Sequence, residues 1–127
     1  MTKEELKQIY YLKKEVAMWE EELEKLEGEM YPQGTGGISD GSISDKTGRV
    51  ACAIAECRDM IQEKMSALKK VEAEALRYIA SIDDSHTRQI FYMRCVLGMG
   101  WKEIADIIGG NTQDSVRMIF NRYCEWD

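Results

Sequence analysis

The chain has 127 residues, of which 44% are hydrophobic and 31% charged, and a formal net charge of −6. That length suits one domain, or one domain with an appendage, and that balance excludes both a disordered polyelectrolyte and a membrane bundle. No apolar run approaches the roughly 18 residues needed to cross a bilayer. The charged opening, MTKEELKQIYYLKKE, has no apolar signal core, so the expectation is a cytoplasmic protein with no membrane partner.

Residues 3–30 read as one long helix. Ile9, Leu12, Val16, Trp19, Leu23, Leu26 and Met30 alternate spacings of three and four, the pattern of a coiled-coil seam, and the flanks are charged. An isolated helix of this kind is only marginally stable, so the seam must bury against another helix. Residues 31–48 interrupt the pattern with the only proline, Pro32, and five of the ten glycines, which predicts a flexible loop. Gly34, Gly36 and Gly37 do not make a phosphate-binding loop, because no Lys-Ser/Thr pair follows and no strand precedes them.

Residues 49–82 return to helix, with Val50, Ile54, Cys57, Ile61, Met65, Leu68, Val71, Ala75, Ile79 and Ile82 at near-heptad spacing. Folding this helix back on the first gives an antiparallel hairpin. Pairing the same seams between two chains is equally legal, and the sequence does not choose between them. Asp83, Asp84 and Ser85 close the second helix and offer caps to a third, residues 85–97, with Ile90, Phe91, Met93, Val96 and Leu97 apolar.

Trp101–Tyr123 organises the rest. Trp101, Ile104, Ala105 and Ile108 share one helical face, and Gly109 and Gly110 stop that helix. Asn111 or Thr112 caps the next helix, residues 112–124, and Asp114 in its first turn suits the positive helix end. Val116, Ile119, Phe120 and Tyr123 form its apolar face, leaving Gln113, Asp114, Arg117, Met118 and Asn121 outward. Small Ala105 permits a close crossing. Two helices, a glycine turn and an outward row of long polar side chains describe a helix-turn-helix, whose second helix enters a DNA major groove. A structural corner would more often show Glu and Lys pairs on that face. The predicted fold is therefore all-α, with a long helical hairpin over 1–84 and a C-terminal tri-helical helix-turn-helix over 85–127. The smaller module is marginal as a lone core and should pack on the end of the second long helix, with Trp101 as a core anchor against the third. His86 is expected at the surface.

Acid is concentrated early. Residues 1–48 carry 6 Lys+Arg against 11 Asp+Glu, residues 49–84 carry 6 against 7, and residues 85–127 carry 5 against 5. A neutral helix-turn-helix has few cations for phosphate contacts, which dominate non-specific affinity, so modest DNA binding aided by dimerisation or a partner is expected. Cys52, Cys57, Cys95 and Cys124 lack zinc-ligand spacing and read as reduced, packed thiols. With one histidine and no nucleophile motif, no catalytic residue, metal or cofactor is assigned, and the chain is not expected to be an enzyme.

Three pieces carry a resemblance: YMR at Tyr92–Arg94, WKEIA at Trp101–Ala105 and SVRMI at Ser115–Ile119. The segment 91–123 resembles region 4 of sigma-70 factors, and more closely the sigma-like phage and prophage regulators of the ArpU and RinA group, where an acidic coiled coil and a Gly/Ser linker also occur. The specific likeness covers about 35 residues of 127. It implies a transcription regulator of double-stranded DNA, with Thr112, Gln113, Asp114, Arg117 and Met118 on DNA-facing positions. The acidic hairpin would dimerise or dock on RNA polymerase. The turn is one residue longer than the sigma pattern, and Gln113 and Ser115 replace DNA-touching arginines, which weakens phosphate binding. Asn121 and Arg122 complete the candidate DNA contacts. Two other classes share the layout: a small terminase-like packaging subunit, and a helical adaptor that binds protein rather than DNA.

Overall fold

The computed structural model describes residues 1–30 and 41–126, and the side chains of 1–30 and 46–124. Among these residues every regular element is helical. The first helix, α1, spans Lys3–Met30, and α2 spans Gly41–Ala80. The two pack together as a helical hairpin within one chain.

The start of α2 corrects the expected loop at 31–48. Residues 41–48 are helical, while 31–40 lie outside the described residues. Extending an existing helix adds a hydrogen bond per residue without a new nucleus, so a glycine such as Gly48, disfavoured by about 1 kcal/mol, does not stop it.

Two compact units cut across both long helices: Lys13–Ser66, and Met1–Leu12 together with Ala67–Asp127. Within Lys13–Ser66 the seam buries Val16, Val50, Ile54 and Cys57. The Cys57 thiol donates to the Trp19 carbonyl at 3.1 Å, and Arg58 Nη2 pairs with Glu27 Oε1 at 3.3 Å. Met65, a predicted seam residue, is 41% exposed.

The other unit is built on aromatic packing. Leu6 and Ile9 of α1, Ala75 and Ile79 of α2, and Ile82 just beyond it share one buried cluster with Ile90, Phe91, Ile104, Val116 and Phe120. The Phe91 ring lies 4.5 Å from Phe120 and 5.3 Å from Tyr123, centroid to centroid. The expected support from the end of α2 is present, and the start of α1 joins it.

Helix α3, Ser85–Phe91, starts where Asp84 accepts hydrogen bonds from the Thr87 backbone N–H (3.1 Å) and hydroxyl (2.7 Å). Those bonds, the hydroxyl's foremost, hold the Asp84 carboxyl below its ordinary pKa. Arg88 closes the preceding bend by donating to the carbonyls of Ile82 and Asp83. The predicted third helix then changes character: Tyr92–Val96 is π-helical, and Gly98 at φ 69° ends it. Trp101–Ile108 forms α4 and Gln113–Trp126 forms α5. Among the described residues no helix is long and apolar enough to cross a membrane.

Candidate nucleic-acid interface

The helix pair α4–α5 is assembled by local rules. Ile104 is fully buried and Ala105 nearly so. A side chain this small lets α5 approach α4 closely. Gly109 and Gly110 both adopt positive φ, 73° and 72°, and the Gly109 N–H closes α4 on the Ala105 carbonyl. Thr112 Oγ1 accepts the Ser115 N–H at 3.1 Å, so Thr112 is the cap of α5. Asn111, the alternative cap, is engaged elsewhere: its amide donates to His86 Nε2 at 3.0 Å, and its oxygen accepts the Ser115 hydroxyl at 3.1 Å. His86 is thus half-buried and tied to the turn, where a surface position was expected.

Val116 and Phe120 of α5 are buried, while Thr112, Gln113, Asp114, Arg117, Met118 and Arg122 are exposed. The apolar face is therefore committed to the core, and six of the seven expected contact residues remain open to a ligand. Arg117 Nη2 pairs with Asp114 Oδ1 at 3.1 Å, one helical turn away. A pair this exposed is worth about 0–1 kcal/mol and is readily exchanged for another anion. Asn121 departs from the expected row: it is half-buried and accepts a hydrogen bond from Lys3 Nζ at 2.9 Å. The reason is the start of α1, which runs beside this part of α5.

That neighbour turns the outer edge of the helix pair into a cleft of about 590 Å³. Lys3 and Lys7 of α1, Arg94 of the π-helical turn, and Arg117 and Asn121 of α5 all line it, and among the described residues no carboxylate does. Arg94 is positioned from two sides. Its guanidinium carbon lies 4.2 Å from the Trp101 ring centroid, and Nη1 donates to the Met99 carbonyl at 3.0 Å. The π-helical geometry supports this, burying Met93 and Cys95 while leaving Arg94 between them half-exposed. Burial pushes the Cys95 thiol up to about 12, so it stays protonated and acts as a packed apolar group. Trp101 is half-buried with its ring 5.3 Å from Phe120, so it braces Arg94 and α5 as well as the third helical stretch.

Lys3, Lys7 and Arg94 were not among the contact residues expected from sequence, Arg94 having been singled out only within the YMR piece. Lys3, Lys7 and Tyr11 recur every four residues, so a stripe on one face of α1 is readable in retrospect. The surface that the stripe would meet is not readable, because a heptad pattern specifies burial without naming a partner. No family model, no characterised protein and no solved structure matches this chain.

Proposed function

We propose that this protein is a DNA-binding transcription regulator of the sigma-70 region-4-like kind found in phages and prophages, with α5 entering the major groove of double-stranded DNA. The observation that carries this reading is the open row on α5: Gln113, Asp114, Arg117 and Met118 are exposed on the second helix of a glycine-turned pair whose apolar faces are buried. Arg117 exchanges Asp114 for a guanine edge or a phosphate. Gln113 reads an adenine edge, and Met118 offers apolar contact to a thymine methyl. The Thr112 hydroxyl, whose oxygen already caps α5, keeps its proton to donate to a phosphate at the helix N-terminus. Arg122 and Asn121 flank the row as phosphate contacts. The acidic helical hairpin serves as the docking or dimerisation element, with RNA polymerase or a second copy as partner.

Selection from a random duplex library at low and moderate salt tests the reading. A motif should be enriched, and Arg117→Ala should lower specific affinity by about 1–3 kcal/mol. Unchanged specific affinity in that variant removes α5 from the groove. Duplex binding without enrichment, by a ring of many subunits in light scattering, would favour a packaging subunit. Absence of salt-dependent duplex binding would favour a protein-binding adaptor.

A further inference from the structure

The cleft beside α5 has a composition that duplex recognition does not require. Four cations, Lys3, Lys7, Arg94 and Arg117, converge on it in a chain whose net charge is −6, and among the described residues no carboxylate lines it, although Lys7 pairs with Glu4 and Arg117 with Asp114 beside it. Like charges gathered from three parts of the fold favour an anion with more than one charged group. Two large aromatic side chains line the same cleft and are about half exposed: Tyr10 is 48% exposed and Tyr11 54%, with their rings edge to face at 5.6 Å. Tyr11 lies on the same stripe of α1 as Lys3 and Lys7, one turn further along. Trp101, by contrast, has a face covered by Arg94, so its part is to hold that cation.

We propose that this cleft binds single-stranded nucleic acid, with phosphates on Lys3, Lys7, Arg94 and Arg117 and a base stacked on Tyr11. Cations that follow a backbone, beside aromatic faces that accept any base, are the two components of sequence-tolerant strand binding. Shape points the same way. The cleft is concave and its volume of about 590 Å³ suits a base with its sugar and phosphate, whereas a duplex presents a broad convex surface. Cations contributed from separate elements fit successive phosphates of a strand better than the single phosphate of a free mononucleotide. Arg117 and Asn121 belong both to this cleft and to the proposed duplex face, so strand and duplex compete.

The test is fluorescence anisotropy of a labelled oligothymidylate of about ten nucleotides at low salt, with thymidine monophosphate as competitor. The full-length protein should bind the strand with an affinity that falls as salt rises. The double variant Lys7→Gln/Tyr11→Ala should weaken that binding by about tenfold or more, with an unchanged melting temperature because both side chains are exposed, and with unchanged duplex affinity because neither lies on α5. No strand binding at low salt, or equal strand affinity in the double variant, would overturn the proposal. So would competition by thymidine monophosphate as effective as that of the unlabelled strand. Duplex binding is scored separately: a protein that binds duplex but not strand retains the groove reading and loses this one, and the opposite result does the reverse.

Discussion

Two single residues set local energetics that experiment can read. The Tyr78 hydroxyl is buried without a hydrogen-bond partner among the described residues, while its ring packs 6.2 Å from Phe91 and 6.5 Å from Tyr123. An unsatisfied buried hydroxyl costs about 1–3 kcal/mol, whereas the ring contacts do not need it. Tyr78→Phe should therefore raise stability by about 1 kcal/mol in urea denaturation, and a lower midpoint would mean that the hydroxyl is satisfied. Asp84 acts through charge. Its two bonds from Thr87 lower its pKa in the folded state, so its ionised form stabilises the fold at any pH above the ordinary carboxylate value. That contribution disappears as pH falls through the folded-state value. Asp84→Asn keeps a capping oxygen but removes the titration, so its stability should decline less steeply on the acid side. Denaturation midpoints across a pH series check this, and superimposable acid limbs for the two proteins would refute it.

Helix boundaries show what the chain discloses at the next scale. The range of α1, Lys3–Met30, and that of α4, Trp101–Ile108, match the predicted spans because a regular apolar period and clear stop signals bracket both. The start of α2 was missed by eight residues' worth of glycine- and serine-rich sequence, since composition there suggested a break and the adjoining helix extended through it. The switch to π-helix at Tyr92–Val96 left no sequence signal: YMRCV has ordinary apolar spacing, and its path depends on what packs against it. The cap of α5 was narrowed to Asn111 or Thr112, and only tertiary contacts decided it, because His86 captures the Asn111 amide. Thr112→Ala should cost about 1 kcal/mol of stability, measured by chemical denaturation. A similar loss in Asn111→Ala with none in Thr112→Ala would reverse the assignment. Of the expected contact residues on α5, the exposed row was legible from period alone. The altered setting of Asn121 was not, since Lys3 lies 118 residues away in sequence.

At the scale of the molecule, the helix-turn-helix depends on the beginning of the chain. Ile9 is fully buried and Leu6 3% exposed in the same cluster as Ile104, Val116 and Phe120. Removing a buried Ile side chain to Ala typically costs about 2–5 kcal/mol. Ile9→Ala should show that loss, and it should appear as faster amide hydrogen exchange in α4 and α5. Unchanged protection there would separate α1 from this core. The seam of α1 was evident in the sequence, but it was assigned only to pairing of the long helices, within one chain or between two, because periodicity records how much of a helix is covered and not by what. The same contacts fix an order of events during synthesis. At ribosomal rates of about 5–20 residues per second, Leu6 and Ile9 emerge roughly ten seconds before α5 exists to cover them. A nascent chain must carry that apolar turn uncovered until α5 is made, so a transcript truncated before α5 would yield a product marked for chaperone capture or proteolysis, with its α4–α5 pair incomplete.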